Sequence, residues 1–165
     1  MTPLQQKVID LALQDVGVHE DPPGSNSGPV INKMLAVVGL NPGYAWCCAS
    51  ACYWISGACN ELGLTHEFSF GASVLKLWQR NQALVIPAPV PGCIALRNEG
   101  VNSLGHAVGH CMVVIDVLDD GQTLKVISGN TTAANPNART GGEVAIQDRP
   151  MSQFTDNGYG FLAIR

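Results

Sequence analysis

The segment Ile86-Pro-Ala-Pro-Val-Pro-Gly92 limits what this chain can fold into more than any other stretch. Its three prolines remove three backbone donors, fix φ, and push the residues before them towards extended geometry. A helix cannot cross it, and a central strand cannot use it. The chain therefore divides there. Before it, Leu4, Val8, Leu11 and Leu13 recur at helical spacing over residues 3–15. Pro29 opens a second helix running to Val38, with Gly39 after its end. Residues 46–62 make a third helix, closed near Gly63, and residues 72–80 a shorter fourth. The turn clusters Asp21–Ser27 and Asn41-Pro42-Gly43 separate the first three. After the prolines come strand-like runs at 93–97, 110–117, 123–127, 144–147 and 159–164, with a hairpin signal at Asp119-Asp120-Gly121. Helices first and an antiparallel meander second predict an α+β fold, with N-terminal helices packed on a C-terminal sheet. Each half looks too small to stand alone, so residues 1–165 read as a single domain and the proline segment as its internal link.

Composition then excludes several function classes. Hydrophobic residues make up 46% of the chain and charged residues 13%, a globular balance rather than a disordered one. A net charge of −4 argues against a non-specific nucleic-acid binder and against a basic wall or membrane anchor. No apolar stretch approaches the 18 or so residues of a membrane span, so no membrane insertion is expected. The opening residues are amphipathic and lack the basic start and apolar core of a signal peptide. The expectation is synthesis in the cytoplasm, with another component carrying the chain outwards if its substrate lies outside.

Six cysteines are many for this length, and four of them, Cys47, Cys48, Cys52 and Cys59, crowd onto the third helix. A cytoplasmic chain favours free thiols, and the absence of C-x-x-C argues against a zinc ribbon or redox motif. Cys48, Cys52, Ile55, Cys59 and Leu62 fall on one helical stripe, and its three cysteines read as small buried hydrophobes. Cys47 stands about 100° away from Cys48 on that helix. It sits in the first turn, where unpaired amides and the positive end of the dipole favour a thiolate. A nucleophilic thiolate needs a base, and the base needs an orienting group. His19 and His66 lie in polar turns and read as solvent-exposed. His106 and His110 both follow glycine; His110 opens the apolar run Cys-Met-Val-Val-Ile, so a strand would hold its ring, and it is preferred over His106. Counting outward from the Asp119–Gly121 turn brings Asn130 near His110, where an amide oxygen could fix the imidazole tautomer. Its competing readings are a strand-end turn residue and, in Asn130-Thr-Thr132, a glycosylation acceptor.

These pieces together resemble the CHAP-type (NlpC/P60-like) peptidoglycan hydrolases, in particular the short single-domain kind of phages and bacteria. The likeness runs through Gly17-Val-His-Glu20 and Gly24-Ser-Asn26-Ser-Gly28, then Trp46-Cys47-Cys-Ala-Ser-Ala and Phe70–Trp78. It continues through Pro91-Gly92-Cys-Ile-Ala-Leu, Gly109-His110-Cys-Met-Val-Val, Val126-Ile-Ser-Gly-Asn130 and Tyr159–Arg165. The resemblance implies a papain-like fold and a cysteine peptidase or amidase acting on bacterial cell-wall peptides, such as a phage endolysin or a wall-lytic enzyme. Cys47 would be the nucleophile, His110 the base and Asn130 the third member, while Glu20, Asn26 and Trp46 would contact substrate. The Cys47 amide would serve as one oxyanion donor. The chain would act as a monomer on peptidoglycan in the periplasm or exterior, with a holin or secretion apparatus as a possible export helper. Three positions depart from the family pattern: Ser128 replaces a glutamate, Cys93 replaces an aspartate after Pro-Gly, and Gly-His occurs twice. No acidic calcium-loop pattern is present, so neither a metal nor a cofactor is expected. Two readings from other classes remain: a papain-like module that grips wall peptides without cutting, and a metal or redox protein built on the cysteine stripe.

Overall fold

The computed structural model describes residues 1–134, 141–156 and 158–165. Among these the chain is α+β, with five α-helices and one six-stranded sheet. Helix α1 (Pro3–Gln14) starts at a capping box: Thr2 Oγ1 accepts from the Gln5 amide at 3.2 Å, and Gln5 Oε1 accepts from the Thr2 amide at 2.7 Å. Helix α2 (Pro29–Val37) begins on its proline. Helix α3 (Cys47–Leu62) ends at Gly63, whose left-handed φ of 63° suits glycine. Trp46 therefore precedes the first turn of α3 and is not part of it. Helix α4 covers Val74–Arg80, starting two residues later than the sequence pattern suggests.

The sheet comprises β1 (Val85–Ile86), β2 (Ile94–Val101), β3 (Ala107–Leu118), β4 (Thr123–Thr131), β5 (Glu143–Pro150) and β6 (Gly160–Leu162). Its order is β1-β6-β2-β3-β4-β5, and every paired neighbour is antiparallel. Strands β2 to β5 form the expected meander. β6 departs from it, crossing back to pair with β2 on one side and β1 on the other. The proline link thus begins inside the sheet: Val85 and Ile86 add an edge strand, and Pro87 ends it. β2 also runs four residues past the expected end at Arg97. Its polar tail pairs with the start of β3, Arg97 opposite His110 and Val101 opposite Ala107, across a bulge. His110 is consequently the fourth residue of β3 rather than its first. Short helix α5 (Ser152–Thr155) has no counterpart in the sequence reading.

Side chains alternate across the sheet and build two cores. Cys111 and Val113 join α1, α2 and α3 in the larger one. Met112, Val114, Leu124 and Val126 meet Phe154 of α5 and Phe161 of β6 in the smaller. α1 and α3 are tied by Trp54, whose Nε1 donates to Asp15 Oδ2 at 2.7 Å. The stripe of Cys48, Cys52, Ile55 and Cys59 is buried as expected, whereas Leu13, counted on the apolar face of α1, is 40% exposed. Among the described residues no helix is long and apolar enough to cross a membrane.

Candidate active site

Cys47 is the first residue of α3, and no side chain caps that helix. The first-turn amides are left for the backbone and for anything that approaches the helix start. The position of this start is fixed from behind. Trp46 is fully buried, and its Nε1 donates to Glu20 Oε1 at 3.0 Å. Gly129 of β4 lies against the Trp46 ring so closely that a Cβ there would overlap it. Ser50 completes the join, donating to the Cys47 carbonyl at 2.8 Å and accepting from the Gly129 amide at 3.2 Å. One hydroxyl thereby holds the first turn of α3 to the end of β4.

A cavity of about 260 Å³ opens over this junction. Cys47 and Cys48 line it from α3, Ala72 to Val74 from the approach to α4, and Ala107 to His110 from β3. Glu99 of β2, Ala45 and Asn130 complete its walls. The sequence-expected trio of Cys47, His110 and Asn130 therefore borders one space. His106 does not line it and is exposed. His19 is exposed as well, while His66 is half-buried and stacked on Phe70 at 4.5 Å, not solvent-exposed as its polar surroundings suggest.

The imidazole of His110 is held by Ser128: Nε2 lies 3.0 Å from Ser128 Oγ, and both residues are buried. The ring hydrogen bond thus goes to Ser128 and not to Asn130. In the tautomer whose Nε2–H donates to Ser128, Nδ1 keeps its lone pair and is the nitrogen left for the thiol. A serine hydroxyl orients the ring but supplies less stabilisation to an imidazolium than a carboxylate would.

The Cys47 thiol has its pKa pushed well above the ordinary range. The neighbouring Cys48 side chain is the largest cause and burial the second, while the charge and hydrogen bonding of His110 draw it down. The helix start favours a thiolate by about 1 kcal/mol, whereas burial of an ionisable group shifts its pKa by up to several units. The Cys48 side chain and burial together outweigh the helix start, so the resting Cys47 thiol is held neutral. Cys52 and Cys93, pushed up to about 12 mainly by burial, are inert by the same logic. All six cysteines are free.

The expected substrate contacts divide. Trp46 lines neither this cavity nor the next; it is buried structure that positions Cys47. Glu20 and Asn26 line a second cavity of about 280 Å³, together with Gly24, Gly141 and Gly142. Ala45 and Asn130 belong to the walls of both. Asn130 adopts a left-handed φ of 56°, is 5% exposed, and its side chain makes no hydrogen bond to a described residue.

Three residues of the site were not assigned from sequence. Ser128 was noted only as a missing acid, although a hydroxyl at that strand position can take the same ring hydrogen bond. Ser50 carried no signal beyond its helical phase. Glu99, which pairs with Arg97, was hidden because Arg-Asn-Glu-Gly reads as a strand end. Among the described residues no three His, Cys, Asp or Glu side chains gather to hold a metal ion. Comparison of the chain with protein-family models, curated proteins and solved structures returned no match.

Proposed function

We propose that this chain is a papain-like cysteine hydrolase of bacterial peptidoglycan, of the CHAP or NlpC/P60 kind. The observation that carries the reading is one cavity bordered by Cys47 at the start of α3 and His110 on β3, with the ring of His110 held by Ser128. The ordered motifs from Gly17 to Tyr159 supply the substrate class. Cys47 Sγ attacks an amide carbonyl of the wall peptide, its proton passing to His110 as the bond forms. The tetrahedral oxyanion lies at the uncapped start of α3, within reach of first-turn amides. His110 returns the proton to the leaving amine, and water then hydrolyses the thioester. Ser128 keeps the ring in the tautomer this cycle needs. A wall substrate lies beyond the cytoplasmic membrane, so delivery by a lytic or secretory partner is part of the proposal.

The test is release of peptide fragments from purified cell wall, with mass spectrometry to identify the bond cut. Cys47→Ala should lower the rate by at least about 10³-fold while leaving the melting temperature within a few degrees. Full activity in that variant would sink the reading. The raised pKa of Cys47 favours a second one, a module that holds wall peptides without cutting them. In that case the unaltered protein would bind wall but release nothing.

A further inference from the structure

The second cavity invites a separate question, because a buried carboxyl group with one side-chain hydrogen bond among the described residues lines it. Glu20 is 4% exposed. Its Oε1 accepts from Trp46 and its backbone amide donates to the Gly142 carbonyl at 2.7 Å. Its Oε2 has no hydrogen bond to a described residue. A carboxylate accepts several hydrogen bonds, and one buried with a single donor is costly unless a ligand or water supplies the rest. The described lining of this cavity contains no lysine or arginine. Gly142 faces Glu20 Oε2, and a Cβ placed there would come to 3.5 Å of it. The missing side chain leaves an approach to that oxygen open.

Asn130 is an independent observation at the same place. The residue is 5% exposed, its side chain lacks a hydrogen bond to a described residue, and it lines both cavities. Its amide is free to take a substrate's backbone as that backbone passes from one cavity to the other.

The geometry points to the Glu20 cavity as a subsite for a protonated primary amine of the substrate, with Asn130 as the positioning contact between that amine and the bond at Cys47. An ammonium is compact, carries three donors and fits an acceptor-only carboxylate. Wall peptides offer this chemistry in two forms: a free α-amino terminus and the side-chain amine of a diamino acid. The inference rests on the hydrolase reading for its substrate, but it concerns binding and not bond cleavage.

The experiment uses the full chain carrying Cys47→Ala, so that nothing is consumed, and titration calorimetry with a synthetic wall tripeptide ending in lysine. Three versions of the peptide are compared: unmodified, acetylated on the α-amine, and acetylated on the side-chain amine. One acetylation should weaken binding at least about 10-fold, the scale of a lost buried charge pair, and which one identifies the source of the amine. Glu20→Gln in the same background should weaken the unmodified peptide to a similar degree and remove the effect of acetylation. The glutamine oxygen can still accept from Trp46, and the acetylation arm stands without the variant. Equal affinity for all three peptides, or no binding of any, overturns the proposal. Amine-dependent binding in a protein that cuts no wall would leave the subsite standing and remove the hydrolase reading. Cleavage that ignores acetylation would do the reverse.

Discussion

The two cavities that meet at Ala45 and Asn130 are nearly equal in size, about 260 and 280 Å³, and unlike in what lines them. On one side stand a thiol and an imidazole, a pair able to move one proton between them. On the other stand a buried carboxylate, an asparagine and glycines, which move nothing and leave room for a charge. The difference is also one of origin. The first is made where a helix start meets two strands, so its chemistry rests on tertiary contact. The second is made by the loop before α2 meeting the segment that leads into β5, held by the Glu20–Gly142 backbone hydrogen bond and the isolated bridge between His19 and Glu143. Trp46 joins them, giving its Nε1 to Glu20 on one side and leading directly into Cys47 on the other. On the proposed reading such a cleft divides labour: one end makes and breaks a bond, the other decides what is presented to it.

That division can be broken at its hinge. Gly129 supports both cavities through Trp46, so Gly129→Ala should be the most damaging change outside the nucleophile. Overpacking there costs about 2 kcal/mol, a fall of roughly 4–8 °C in melting temperature for a chain of this size. Thermal unfolding followed by circular dichroism checks it, and both amine binding and wall cleavage should fall together. An intact melting curve would mean that Trp46 has room to move.

A narrower change should separate the two ends. Ser128→Ala removes the hydrogen bond of the His110 ring and nothing near Glu20. Its kcat should fall by about 10-fold, as for loss of a general base's orientation, with KM and amine binding unchanged. Ser128→Thr should restore part of the loss, a rescue that a merely packing role for Ser128 would not require to track kcat. An effect confined to KM would remove Ser128 from the proton-transfer path.

The smallest expected effect concerns Cys48. Its side chain is the largest cause of the raised pKa of Cys47. Alkylation follows the thiolate, so the labelling rate of Cys47 should climb with pH to well above the ordinary thiol range. Cys48→Ala removes the leading upward influence, lowers the pKa, and should shift that profile to lower pH, giving labelling a few-fold faster near neutrality. Amine binding should not change. An unshifted profile would leave burial as the controlling cause.

The four N-terminal helices were legible because their boundaries depend on local rules. The proline segment stops helices wherever it sits, Thr2 and Pro29 start them, and Gly63 ends one, so the helical half was found within two residues at each boundary. Cys47 was separable from Cys48 because helical phase is a property of the chain alone. Strand ends were harder. The tail of β2 runs out of the core, with Glu99 on a cavity wall, and nothing in Arg97-Asn-Glu-Gly100 distinguishes that from a turn. The return of β6 to the far side of β2 is a long-range pairing that no local pattern encodes.

For the site, the sequence by itself determined which residue types were available and which elements carry them: a thiol at a helix start, an imidazole on a strand, an amide on the next. Tertiary structure decided their partners. It gave the ring of His110 to Ser128, because a hydrogen bond depends on which side chain comes within about 3 Å and not on which is chemically suitable. It buried Trp46 behind Cys47, on the wall of neither cavity, because burial is a property of packing. It raised the pKa of Cys47 above what a helix start alone implies, because desolvation and a neighbouring thiol act through space. And it placed Glu20, 27 residues before Cys47 in the chain, in a cavity that shares two wall residues with it.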